Sequence, residues 1–363
     1  MNEALGVVDK SDSQTDGHKD ARATLEAIRR ALEMKPFQPH RLFRSGHAQT
    51  LAAYAWPRRY LLRRRANDEA RLFEVEPNVR VLARCRWQAE PTAHPTIILL
   101  HGLEGSSEAA YMLSLAGKAF RAGFNAVRLN MRNCGGTEHL TPTLYNSGMT
   151  GDIGAVVREL IERDRLPRIF LAGVSMGGNM VLRYAGELKD GAPRELVGVC
   201  AISPAIDLAA CAEAIAWRSN WIYQQSFVRS LHRHIRRKQK LYPHLYDTRN
   251  LRLVRTVRDF DERYTATHGG YRNADEYYAR ASSLPVIKDI CRPALIIHAQ
   301  DDPFIPFASF RHSSLSENPY VILIATPRGG HVGFLADPSC APDRFWAEDR
   351  VVEFCCLLLK DEG

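Results

Sequence analysis

The chain has 363 residues, 45% hydrophobic and 25% charged, with 49 Lys and Arg against 41 Asp and Glu and a formal net charge of +8. These values exclude wholesale disorder, collagen and a multispan membrane protein, and the length admits one large α/β domain with insertions or two ordinary domains. The positive excess favours acidic partners such as phospholipid surfaces, and eight cysteines without a CxxC pair fit reduced thiols in a cytoplasmic protein.

The first twenty residues, MNEALGVVDKSDSQTDGHKD, are polar and lack a basic start followed by an apolar stretch. No secretory signal is read there, and residues 1–35 are expected to be a disordered leader. RRYLLRRR, from Arg58 to Arg65, holds part of the positive charge. From about residue 71 short β-rich runs alternate with helical ones. Strands are expected near 71–76, 79–88, 96–101, 124–131, 168–174, 195–202, 293–299 and 320–325, and helices at 108–122, 148–163, 176–187 and 343–359. TIILL and ALIIH have strand length, far short of the roughly 20 residues that cross a bilayer. Alternation between residues 96 and 202 predicts crossover connections, hence an α/β fold with a mostly parallel, eight-stranded sheet covered by helices on both faces.

The alternation stops between Pro204 and Ile290, where the chain is helical, basic and aromatic. A structureless loop of that length is improbable, so residues 204–290 are read as a helical cap inserted between the two parts of the core, 36–203 with an N-terminal arm and 291–360. Arg229, Arg233, Arg236 and Lys240 recur there at helical spacing, with Val228, Leu231 and Ile235 on another face. Such a helix serves as a solvated cover for the core or docks on an anionic membrane, which would add a peripheral place at the inner membrane surface to the cytoplasmic assignment. No recognised nucleic-acid motif accompanies the charge. His232 and His234 form an HxH pair, but basic neighbours repel a cation and no carboxylate cluster joins them, so no metal is expected.

Glycines 173, 177 and 178 surround Ser175 where an apolar run gives way to a helical one. Gly173-Val174-Ser175-Met176-Gly177 is a G-x-S-x-G pattern in strand-to-helix context, where a Cβ at 173 or 177 would clash and the serine hydroxyl is lifted clear of the sheet. A serine nucleophile needs a base and an orienting acid, following it in the order acid then histidine. Asp302 ends the run ALIIHAQDDPFIP and is preferred to Asp301 and Asp207 as the acid. Among 13 histidines, His331 stands after the last strand and before the C-terminal helix, where an imidazole can take and return the serine proton. The amides of Met176 and of Leu103, in LLHGLEGSS, are the expected oxyanion donors. His101 is read as a brace of that loop and Glu104 as a solvated loop charge.

FQPHRLFRSGHAQTLAA (Phe37 to Ala53), HGLEG, GVSMGGN, FDERYTATHGGYRNADEYY (Phe260 to Tyr278), HAQDDPF and GGHVGF, in that order, resemble the YheT-like hydrolases of the α/β-hydrolase superfamily. These are similar to the eukaryotic abhydrolase proteins and to fungal medium-chain ester synthases and esterases. The resemblance runs over roughly residues 36–358 and implies an α/β-hydrolase fold with triad roles at Ser175, Asp302 and His331. It also implies a carboxylic ester hydrolase acting, without cofactor, on short- or medium-chain acyl esters or lipids. Acyltransferase, thioesterase or amidase chemistry on the same triad is the alternative, and a catalytically idle module docking an anionic partner is the reading from another class.

Overall fold

The structure is a computed structural model that describes residues 10–56, 58, 68–341 and 343–361. All eight expected strands are present: β1 (Glu69–Glu76), β2 (Val79–Arg86), β3 (Thr96–Leu100), β4 (Asn125–Leu129), β5 (Ile169–Val174), β6 (Leu196–Ile202), β7 (Ala294–Ala299) and β8 (Val321–Thr326). They form one sheet in the order β1-β2-β4-β3-β5-β6-β7-β8. β1 and β2 pair antiparallel, as do β2 and β4, and every later pair is parallel. The five strands β3 to β7 are buried along their whole length, which is why β3, β5 and β6 read as largely apolar runs, while the buried Asn125 and Arg128 of β4 and His298 of β7 are hydrogen-bonded. By contrast β2 alternates buried with less buried residues.

Helices cover both faces. One face packs on α4 (Thr150–Glu162) and α5 (Met176–Leu188); the other packs on α1 (Lys10–Glu33), α3 (Ala110–Arg121) and α12 (Trp346–Asp361). α2 (Gly46–Ala55) belongs to the N-terminal arm, and α11 is the single turn Ser313–Ser316. α1 replaces much of the leader expected to be disordered. Its Leu25, Ile28 and Leu32 are buried in the second core beside α12, an i, i+3, i+7 stripe that the polar residues ahead of it conceal. Of RRYLLRRR only Arg58 is described, and it is buried, ion-paired with Glu348; the rest of that run lies outside the described residues.

Between β6 and β7 the described residues contain helices and no strand: α6 (Leu208–Ile215), α7 (Trp221–Leu241), α8 (Val257–Phe260), a π-helical turn at Asp261–Thr265, α9 (Ala266–Gly269) and α10 (Ala274–Ala281). α7 buries Val228, Leu231, His234, Ile235 and Lys238 and exposes Arg229, Arg233, Arg236 and Lys240. Because β3 and β5 to β8 run parallel, the loops leaving their carboxyl ends gather on one edge.

Candidate active site

Ser175 joins β5 to α5 at φ 55° and ψ −118°, a conformation that costs roughly 1–3 kcal/mol and persists only where the surroundings hold it. The glycines make that turn possible. A Cβ on Gly173 would lie 2.1 Å from the Gly177 carbonyl oxygen, and one on Gly177 would lie 2.5 Å from the carbonyl oxygen of His101 and 2.6 Å from that of Leu100. The elbow is therefore wedged against the end of β3. The Ser175 amide donates to the Ile202 carbonyl at 2.9 Å, and the Ser175 carbonyl accepts from the Asn179 amide at 3.1 Å.

The structure brings three of the named side chains into one line. His331 Nε2 lies 3.0 Å from Ser175 Oγ, and its Nδ1 lies 2.9 Å from Asp302 Oδ2. The other oxygen of Asp302 accepts the amides of Phe304 and Ile305 at 2.8 and 3.1 Å. Burial alone would raise the Asp302 pKa, but the charge and hydrogen bond of His331 more than reverse this and hold the carboxyl below its ordinary range. An ionised carboxylate only accepts, so the His331 proton sits on Nδ1 and the Nε2 lone pair faces the serine hydroxyl. The two competing acids act elsewhere: Asp301 accepts the Gly330 amide at 2.9 Å, and Asp207 caps α6 by accepting the Ala210 amide at 3.1 Å.

The segment GHAQT (Gly46 to Thr50) holds the histidine loop from the N-terminal arm. Thr50 Oγ1 accepts the His331 amide at 2.8 Å and donates to the Gly46 carbonyl at 2.7 Å. Gln49, fully buried, accepts the Leu335 amide at 2.7 Å and donates to the Leu335 and Phe43 carbonyls. The only sequence signal was the motif itself, since its partners on the histidine loop lie more than 280 residues away.

Around the loop after β3, the Gly102 amide donates to the Tyr111 hydroxyl and the Glu104 amide to that of Tyr145, both at 3.0 Å. The Leu103 amide between them has no partner among the described residues. Met176 opens α5, where the first amides of a helix lack a carbonyl partner. His101 braces the loop as read: its Nε2 accepts the Met131 amide at 3.1 Å, so Nδ1 carries the proton and donates to the Gly102 carbonyl at 2.8 Å. Burial lowers its pKa to about 4, which keeps the ring neutral.

Glu104 requires a correction, because it is not solvated. Its buried carboxylate receives the Tyr145 hydroxyl at 2.8 Å, the Ser230 hydroxyl at 2.8 Å and His234 Nδ1 at 2.9 Å. Burial alone would raise its pKa, yet hydrogen bonds from His234, Ser230 and Tyr145, with the His234 charge, bring it below the ordinary value. The cause is tertiary: α7 descends onto the loop and encloses the carboxylate. The two members of the HxH pair part company, since His232 Nε2 bonds the Val254 carbonyl at 3.0 Å. Among the described residues no three His, Cys, Asp or Glu side chains cluster as metal ligands.

Two cavities meet at Ser175, Leu103, Phe304 and His331. One, of about 100 Å³, runs beneath the cap between Leu208, Ile215, Leu231, Val257 and Phe260, with Glu104, His234 and Asp261 in its wall. The other, of about 360 Å³, passes Tyr111 and Tyr223 to Leu51, Tyr54 and Ile222, which are exposed. Asp261 accepts the hydroxyls of Thr265 and Tyr278 at 2.7 and 2.8 Å, and burial pushes its pKa up to about 6. Thus a serine, a histidine hydrogen-bonded to it and a carboxylate stand beside an apolar chamber, with the unpartnered Leu103 amide and the helix-opening Met176 amide on the loops that flank the serine.

The alpha/beta hydrolase fold family matches residues 95–338 of the chain. The chain is 31% identical over 250 residues to phospholipase ABHD3 of Mus musculus, covering 69% of this chain and 60% of that protein. It is 34% identical over 272 residues to monoacylglycerol lipase of Saccharomyces cerevisiae, covering 72% of this chain and 59% of the relative. With YheT of Escherichia coli it shares 30% identity over 329 residues, covering 89% of this chain and 94% of YheT. It therefore spans about 60% of the length of the mouse and yeast relatives but nearly all of YheT. The chain belongs to the α/β-hydrolase fold family, in the branch that contains YheT.

Proposed function

We propose that this member of the α/β-hydrolase family is a serine carboxylic ester hydrolase working through an acyl-enzyme. His331 Nε2 takes the Ser175 proton as Oγ attacks the ester carbonyl, and Asp302 stabilises the imidazolium. The amides of Leu103 and Met176 receive the oxyanion. Collapse of the tetrahedral intermediate passes the proton from His331 to the leaving alkoxide, and a water activated by the same imidazole then cleaves the acyl-enzyme. The observation that carries this reading is the Ser175–His331–Asp302 line, at 3.0 and 2.9 Å, on a strained elbow. The apolar chamber beneath the cap suits a short or medium acyl chain, and the wider cavity suits the alcohol and its exit. Relatives named phospholipase and monoacylglycerol lipase favour lipid esters among the substrates. The test is hydrolysis of p-nitrophenyl butyrate and octanoate together with fluorophosphonate labelling. Ser175→Ala abolishes both; equal rates in the two proteins overturn the reading, and a wild type that refuses the probe favours an idle binding module.

The wider cavity also has room for an acceptor alcohol, so transfer competes with hydrolysis, and ethyl esters formed in the presence of ethanol would reveal it. Two features support a peripheral membrane contact: Trp221 and Ile222 are exposed at the start of α7, and Arg229, Arg233, Arg236 and Lys240 are exposed further along it. Flotation with anionic but not neutral liposomes is the expected result, and indifference to lipid charge removes the contact. Among the described residues no helix is long and apolar enough to cross a membrane.

A further inference from the structure

His234 is a polar group in the apolar chamber that the mechanism does not use. It is 7% exposed, it lines the same cavity as Ser175 and His331, and its Nε2 has no hydrogen-bond partner among the described residues. Its other nitrogen is committed to Glu104 at 2.9 Å. The ionised carboxylate of Glu104 only accepts, so Nδ1 carries a proton, and Nε2 is left as an unpaired polar nitrogen on a residue of the cavity wall. A fully alkyl chain would leave that nitrogen desolvated and unpaired, whereas a hydroxyl, which both donates and accepts, would satisfy it. Glu104 directly follows Leu103, whose amide is one of the two proposed oxyanion donors. A second polar side chain, Asp261, enters the wall from the π-helical turn of the cap, a kind of irregularity often found at functional sites.

We propose that the chamber selects esters whose acyl chain bears a hydroxyl, with His234 Nε2 as its hydrogen-bond partner and Glu104 as the residue that orients the ring. This rests on the esterase reading, and on the acyl chain entering the chamber beneath the cap. Glu104 thereby couples the oxyanion loop to the residue that recognises the acyl chain.

The experiment compares kcat/KM, by titration of released acid, for ethyl butanoate and hexanoate against ethyl 3-hydroxybutanoate and 6-hydroxyhexanoate. The wild type is expected to favour at least one hydroxyacyl ester about tenfold over its alkyl counterpart. In His234→Phe and His234→Leu that ratio falls to one or below. Wild-type ratios at or below one for both hydroxyl positions overturn the proposal whatever the variants do, so a variant that misfolds cannot shield it. A ratio retained in a variant that still labels with fluorophosphonate overturns the role of His234. A gain seen only with 2-hydroxyethyl butanoate over ethyl butanoate places the hydroxyl on the alcohol side and overturns the acyl assignment. If the wild type cleaves none of these esters and resists the probe, it is the esterase reading that fails.

Discussion

The chamber beside Ser175 has two walls of different construction. The sheet-side wall consists of loops leaving parallel strands, held by backbone hydrogen bonds and by glycines where a Cβ would strike backbone within about 2.6 Å. The cap-side wall consists of side chains on helices, among them His234 from α7 and Asp261 from a π-helical turn, and α7 is joined to the loop after β3 where His234 and Ser230 bond Glu104. The difference separates two tasks. Rigid backbone fixes reacting atoms within tenths of an ångström, while exchangeable side chains shape what enters.

If that division holds, changes on the sheet side depress kcat with every ester, and changes on the cap side alter ratios between esters. Ser175→Ala is expected to cost roughly 10⁴-fold or more in kcat, measured on p-nitrophenyl butyrate. Asp302→Asn, which releases the His331 tautomer, should cost roughly 10²- to 10⁴-fold in kcat without a comparable change in KM. Gly173→Ala drives a methyl into the Gly177 carbonyl, so thermal unfolding should show a loss of about 3 kcal/mol or more. Thr50→Val removes the acceptor for the His331 amide from outside the chamber. A fall of about tenfold in kcat with unchanged ratios between acyl chains would sharpen the comparison, and altered ratios would break it.

A separate effect concerns pH and stability. The Asp261 pKa is raised from 3.8 to about 6, so the folded state binds the proton more tightly than the unfolded chain. Its contribution is full below the unfolded value and is lost as pH rises towards about 6, on the order of 2–3 kcal/mol at most. Denaturant titrations from pH 4 to 7 should therefore show the decline in the wild type and a flatter profile in Asp261→Asn. Asp302 has the opposite sign: its pKa is lowered, so its contribution is present above the unfolded value and lost as pH falls through the folded one.

The amino-acid sequence by itself determined the eight strands, the elbow and the three side chains that meet at Ser175. Each of these follows from constraints within a few residues or from strand order: apolar-rich runs for doubly covered strands, glycines where backbones touch, and an acid and a histidine at successive strand ends. Only the tertiary structure decided that Glu104 is buried rather than solvated, because its partner His234 lies 130 positions away on a helix whose descent no periodicity encodes. The same holds for the grip of Thr50 on the His331 loop across 281 positions. It holds too for α1, whose Leu25, Ile28 and Leu32 find burial only against the second face of the sheet. Local pattern reports what the backbone needs, whereas the environment of a side chain is set by whichever distant element packs on it.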